Sequence, residues 1–132
     1  MIFLETSFII GLTVENDHHH KRAIEIAKEY KNKPKAISEM TIYETMTVLR
    51  KKKQDNNKLK KVYDYLVDSK DIRVFEDVIY YEKALEQTFN NPIGFFDNLS
   101  VIVMLANNIK QIASFDPDFD IFKNIERIGH KP

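Results

Sequence analysis

Four carboxylates stand where the sequence changes character. Glu5 closes the apolar run Ile2-Phe3-Leu4, and Glu44 lies early in the segment after Lys35-Ala36-Ile37. Asp97 sits near the start of the apolar stretch that begins at Phe95, and Asp116 follows Gln111–Phe115. In an open parallel sheet, ligands bind beyond the carboxyl ends of the strands, where the next helices also begin. That topology would gather the four acids at one edge. Carboxylates crowded without a cation repel, and some take up protons. Mg²⁺ or Mn²⁺ relieves the conflict, since both prefer oxygen ligands. Such a site can activate a water and stabilise charge at a phosphoryl centre, so phosphodiester hydrolysis is its natural chemistry.

Each acid also has a plain structural reading. Glu5 could cap the next turn, although a charge directly after a buried apolar run is expensive without a partner. Glu44 completes Thr41-Ile42-Tyr43-Glu44, a capping-box spacing. Asp97 suits a helix cap or first turn, and Asp116 before Pro117 is an ordinary helix-start arrangement. The joint placement of the four is more informative than any one of them.

The elements that must position these acids alternate in type. Short strands are expected at Ile2–Leu4, Lys35–Ile37, Ile72–Phe75 and Gln111–Phe115, with a fifth at Ile125–Ile128. Thr6 and Ser7 offer a cap for a short helix through Leu12, and a second helix is expected from Asp17 to Tyr30. Asn32-Lys33-Pro34 breaks it. Ser38 or Thr41 starts a helix with the stripe Ile42, Met46 and Leu49, and another carries Leu59, Val62, Tyr63 and Leu66. Helices over Asp77–Phe89 and Phe95–Asn107 flank the loop Asn90–Gly94. The pattern predicts an α/β fold, a short and mostly parallel sheet of four to five strands with helices on both faces.

Composition is that of a globular chain: 132 residues, 43% hydrophobic and 30% charged, with no Cys. One domain over residues 1–132 is expected. Disulfides and thiolate metal sites are excluded. Twenty basic and 20 acidic residues cancel, so only their distribution bears on a nucleic-acid partner. No apolar run approaches the ~20 residues that cross a bilayer, and the first twelve residues lack the basic start of a signal peptide. A soluble, cytoplasmic protein with no membrane partner is the expectation.

Three further features have two readings. Arg50 and Lys51, Lys52 and Lys53, with Lys58, Lys60 and Lys61, form the densest basic stretch. It could hold RNA phosphates, although a solvated helix C-terminus favours the same residues through its dipole. His18-His19-His20 makes a poor metal site, because successive helical side chains point in different directions. Phe89, Phe95 and Phe96 could stack on a base, with core packing the expected role for at least two of them.

The segments that carry the acids resemble the PIN-domain family. MIFLETSFIIGL is similar to its opening strand and turn, ISEMTIYETMTVLRK to its second block, GFFDNLSVIVMLANN to its third and IASFDPDFD to its last. The block order is preserved across nearly the whole chain. Length, the early first acid and His18-His19 before an Ala-containing helix look most like the VapC-like toxins. The resemblance implies a Mg²⁺- or Mn²⁺-dependent endoribonuclease that dimerises and is held inactive by a small cognate antitoxin. It implies metal ligation by Glu5 and Asp97, an acidic cluster completed by Glu44 and Asp116, and supporting roles for Ser7, Ser114 and Asp118.

The departure is Glu5, where the family usually carries Asp. Glu keeps the charge but moves the carboxylate out by one methylene, and a misplacement of ~1 Å can cost about a hundredfold in rate. The alternative is therefore a weakened or silent PIN domain that binds RNA or an antitoxin without cutting. A phosphoacceptor domain fits less well, because Glu5-Thr6-Ser7 lacks the second adjacent acid that chemistry favours. Ribosomal-RNA processing is possible within the family, although the small size favours the toxin-like group.

Overall fold

A computed structural model describes residues 1–129. Five strands form one sheet: β1 (Ile2–Leu4), β2 (Lys35–Ser38), β3 (Ile72–Phe75), β4 (Gln111–Ala113) and β5 (Glu126–Ile128). Their order is β3-β2-β1-β4-β5, and every pairing is parallel. Parallel neighbours need crossovers, which the helices supply. These are α1 (Thr6–Thr13), α2 (His20–Glu29), α3 (Glu39–Lys51), α4 (Asn56–Asp68), α5 (Tyr81–Asn90) and α6 (Phe95–Ala106). Short 3-10 turns at Val78–Tyr80 and Pro117–Ile121 complete the described elements.

The two-residue period of a strand sends alternate side chains to opposite faces. In β1, Ile2 and Leu4 enter a core shared with α1 to α4, through Phe8, Ile9, Ala23, Ile26, Ile42, Leu49, Val62 and Leu66. Phe3 enters the other core, with Ala84, Leu99, Val103, Met104 and Phe119. The same split divides Ile37 from Ala36 and Ala113 from Ile112. Short strands buried on both faces thus account for the apolar runs in the sequence.

The chain builds β1, β2 and β3 in one direction, then returns to place β4 on the free side of β1. The sheet therefore reverses its winding between β1 and β4. A crevice opens at the carboxyl ends of such a pair, since the following connections leave toward opposite faces.

Several boundaries differ from the sequence expectation. The segment expected to be helical from Asp17 turns first, and α2 begins at His20. Asp17 instead accepts from the His19 amide (2.9 Å) and faces Lys52 at 3.9 Å. The segment expected to be one helix from Asp77 is a 3-10 turn followed by α5, because the buried Asp77 side chain is spent elsewhere. It accepts from the Met40 amide (2.8 Å) at the start of α3 and from the Tyr81 hydroxyl (3.0 Å). β4 ends at Ala113, two residues early, where the chain peels away toward the crevice.

Candidate active site

Glu5 is the first residue past β1, and its side chain turns back to cap α1. That is the plain structural reading of Glu5, and the cap falls on it rather than on Thr6 or Ser7. One oxygen, Oε1, accepts from the Ser7 amide (3.1 Å), the Ser7 hydroxyl (2.5 Å) and the Ser114 hydroxyl (2.6 Å). Each hydroxyl is itself held by a backbone donor beyond β4. The Phe115 amide donates to Ser7 Oγ (2.9 Å) and the Asp116 amide to Ser114 Oγ (3.0 Å). Two serines thus pin Glu5 to the chain leaving β4, and Oε2 takes no hydrogen bond from the described residues. Glu5 is 6% exposed. Burial outweighs the serine bonds and, with a smaller push from Glu44, raises its pKa to about 6.

Glu44 lies inside α3, whose cap position is Ser38, so Thr41 and Glu44 do not form the capping box. The Thr6 hydroxyl donates to Glu44 Oε1 (2.5 Å) instead, and Thr6 stands within 3.4 Å of Thr45. Burial raises the Glu44 pKa against that bond, and the charge of Asp116 adds to the rise.

Asp97 belongs to the first turn of α6, where Gly94 holds the cap position and makes no side-chain cap. The carboxylate of Asp97 takes no hydrogen bond from the described residues, so it caps nothing. It is half-buried, and its pKa is pushed up to about 7. Burial is the main cause, followed by the charges of Glu5, Asp116, Glu44 and Asp118. Five acids from four regions of the chain thus act on one another in one crevice.

Asp116 does cap the 3-10 turn, with Oδ1 accepting from the Asp118 amide (2.9 Å). One oxygen each from Asp97, Asp116 and Asp118 all lie within 4.8 Å of one another. Asp118, a minor extra in the sequence reading, is therefore a full member of the geometric cluster, while Glu5 borders it. The donor set is all carboxylate oxygen, and one member, Asp97, takes no hydrogen bond from the described residues. That chemistry fits a hard divalent cation.

Sequence reasoning missed two positioning residues. Thr6 anchors Glu44, and a hydroxyl directly after the first acid was its only signal. Asn98, 1% exposed within the apolar run of α6, donates to the Ile93 carbonyl (3.0 Å) and exchanges bonds with Asn91. It fixes the loop that aims Asp97, and a lone amide among apolar residues was the available clue. The expectation for the phenylalanines is corrected. Phe95 packs against the core, but Phe89 is 76% and Phe96 43% exposed, so only one of the three is a core residue. Lys51, Lys52 and Lys53 are exposed at the C-terminal end of α3.

Solved structures with the same architecture include VapC20 of Mycobacterium tuberculosis, described as a sarcin-ricin loop cleaving toxin. It matches with a TM-score of 0.80 and 23% identity over 100% of each chain. A toxin–antitoxin complex from Klebsiella pneumoniae gives 0.70 and 12% identity over 100% of each chain. VapBC2 of Rickettsia felis, bound to a DNA fragment from its promoter, gives 0.66 and 18% over 97% of this chain and 98% of that one. At these identities the likeness is one of fold. Comparison with curated proteins yields no match. The family model for the PIN domain matches residues 2–125, nearly the whole chain, and with the parallel sheet and its acidic crevice this places the chain in the PIN domain family.

Proposed function

We propose that this protein is a metal-dependent endoribonuclease, the toxin of a toxin–antitoxin pair, that hydrolyses RNA phosphodiester bonds in the crevice between β1 and β4. The observation that carries the reading is Asp97: a half-buried carboxylate with no hydrogen-bond donor among the described residues, facing other acids. A bare structural role would have supplied a donor, because an unpaired buried charge is costly.

Asp97, Asp116 and Asp118, with the free oxygen of Glu5, would hold Mg²⁺ or Mn²⁺. When bound, the ion would supply a water of lowered pKa and offset charge on the phosphoryl oxygens. The remaining work falls to side chains. Ser7 and Ser114 keep Glu5 from swinging out of the crevice, each donating one proton to Oε1. Thr6 ties one oxygen of Glu44, which leaves Oε2 as the acceptor for a proton from an attacking water. The α6 N-terminus adds a positive field near the negative substrate.

RNA as substrate and an antitoxin as partner are supported by the structural relatives, among them a sarcin-ricin loop cleaving toxin and a toxin–antitoxin complex. A homodimer is supported by exposed apolar side chains that the single chain leaves uncovered, among them Val78, Ile79, Leu85 and Phe89. No helix among the described residues is long and apolar enough to cross a membrane. The test is cleavage of defined RNAs by antitoxin-free protein. Mg²⁺ or Mn²⁺ should support it, EDTA should stop it and Asp97→Asn should abolish it. Failure of every RNA to be cut would overturn the reading.

A second reading is a PIN domain that binds without cutting. It draws on the position of Glu5 at the border of the Asp97–Asp116–Asp118 cluster. Comparison with Glu5→Asp separates the two.

A further inference from the structure

The histidine run at 18–20 has no part in the acidic crevice, yet the fold uses each ring differently. His20 turns inward and its Nδ1 bonds the Gly11 carbonyl at 2.8 Å. The His19 ring lies flat on Phe115, with centroids 4.2 Å apart and planes within 4°. The His18 ring lies on His19, 3.9 Å away and tilted by 40°. His18 itself is exposed. The result is a column of three rings whose outermost rung faces solvent.

The foot of that column is part of the crevice. Phe115 separates Ser114 from Asp116, and its amide donates to Ser7. The turn carrying the rings is held as well, since Asp17 caps the His19 amide. Gly11 lets the column pass. A Cβ there would stand 3.1 Å from the Phe115 ring and 3.4 Å from His19. Burial, followed by the neighbouring His18, lowers the His19 pKa, which favours the neutral ring. Lys52 lines the same hollow as His18 and carries its ammonium 3.9 Å from the Asp17 carboxylate, so a phosphate would compete with Asp17 for it. A flat aromatic face with a cation at its edge is the arrangement that holds a nucleobase and its phosphate in single-stranded nucleic acid.

We infer that the His18–His19–Phe115 column is a stacking subsite for one unpaired base of the RNA, flanking the scissile phosphate, with His18 as the rung the base covers and Lys52 as its phosphate contact. The inference rests on the ribonuclease reading. Packing explains Phe115 and His19, but it does not explain why the stack continues to a ring in solvent.

The test measures binding rather than turnover. Short single-stranded RNAs with 2-aminopurine at successive positions are titrated into the protein in Ca²⁺, which satisfies the carboxylates. Fluorescence should be quenched at one register. His18→Ala should abolish that quench and weaken affinity about tenfold, the usual scale for losing one base–aromatic stack. His18→Phe should keep both. Thermal melting should be the same for all three proteins, since His18 is exposed. Unchanged affinity and quench in His18→Ala, or no quench at any register in the unaltered protein, would overturn the subsite while RNA cleavage in Mg²⁺ kept the ribonuclease reading. Absence of both RNA binding and cleavage would remove both.

Discussion

At the scale of single residues, the crevice is governed by which carboxylates have donors and which do not. Oε1 of Glu5 has three, Oε1 of Glu44 has one, and Asp97 has none. Asp97→Asn should therefore do two opposite things. Cleavage should fall at least a hundredfold, and Mg²⁺ should no longer raise the melting temperature. The metal-free protein should melt higher than the parent, because a repelled charge is gone. Parallel melting curves with and without Mg²⁺ read both effects. Glu5→Asp draws the carboxylate back by a methylene and takes it away from Ser114. Cleavage should stay level or drop, and a gain of tenfold or more would instead favour a silent parent site. Glu5, Asp97 and Asp116 were legible in the sequence because each followed an apolar run or opened one, and Glu44 because it came early in the segment after a strand. Their donors were not, since Ser7 and Ser114 are 107 residues apart and meet at 3.2 Å only through the pairing of β1 with β4. Asp118 was underrated for a related reason. Nothing local shows that a 3-10 turn after Asp116 will bring it back beside Asp97.

At the scale of elements, two contacts set the crevice's shape. Gly129, just past β5, passes so close to β4 that an added Cβ would lie 2.0 Å from the Ser114 carbonyl oxygen. Gly129→Ala must push backbone against backbone. It should cost about 1–3 kcal/mol as an overpacking change, visible in urea unfolding, and it should impair cleavage by shifting Ser114. Asp77 acts from the other side. It joins the start of α3 to α5 with a buried carboxylate, and Asp77→Ala leaves the Met40 amide and Tyr81 hydroxyl unpaired. A loss of about 1–3 kcal/mol is expected, again by urea unfolding. Strand and helix types could be read from apolar spacing, which reports burial on one face or two. Helix starts at His20 and Tyr81 could not, because Asp17 spends its carboxylate on the His19 amide two residues on and Asp77 on the distant Met40 amide.

At the scale of the molecule, the crevice sets how stability responds to pH. Glu5 and Asp97 hold their protons to about pH 6 and 7 in the folded chain, above the ordinary carboxylate range. The folded state then binds more protons than the unfolded state between about pH 4 and 7, so metal-free stability falls as pH rises through that window. Thermal melts in EDTA should decline from pH 5 to 7.5. A saturating divalent ion should restore much of the loss by binding only the folded form, and a flat profile in EDTA would contradict the electrostatic account. The net charge of zero conceals this, because it does not show that five of the 20 acids converge in one crevice.

The strand order also has a bearing on folding. β1 lies at the centre of the sheet, and its partner on one side, β4, stands more than a hundred residues further along the chain. Until β4 and the aspartates behind it are in place, Glu5 has no Ser114 to hold it and Asp97 has no companions from the chain's last quarter. The longest-range strand pairing and the gathering of the acids are thus one event, and neither can precede the other.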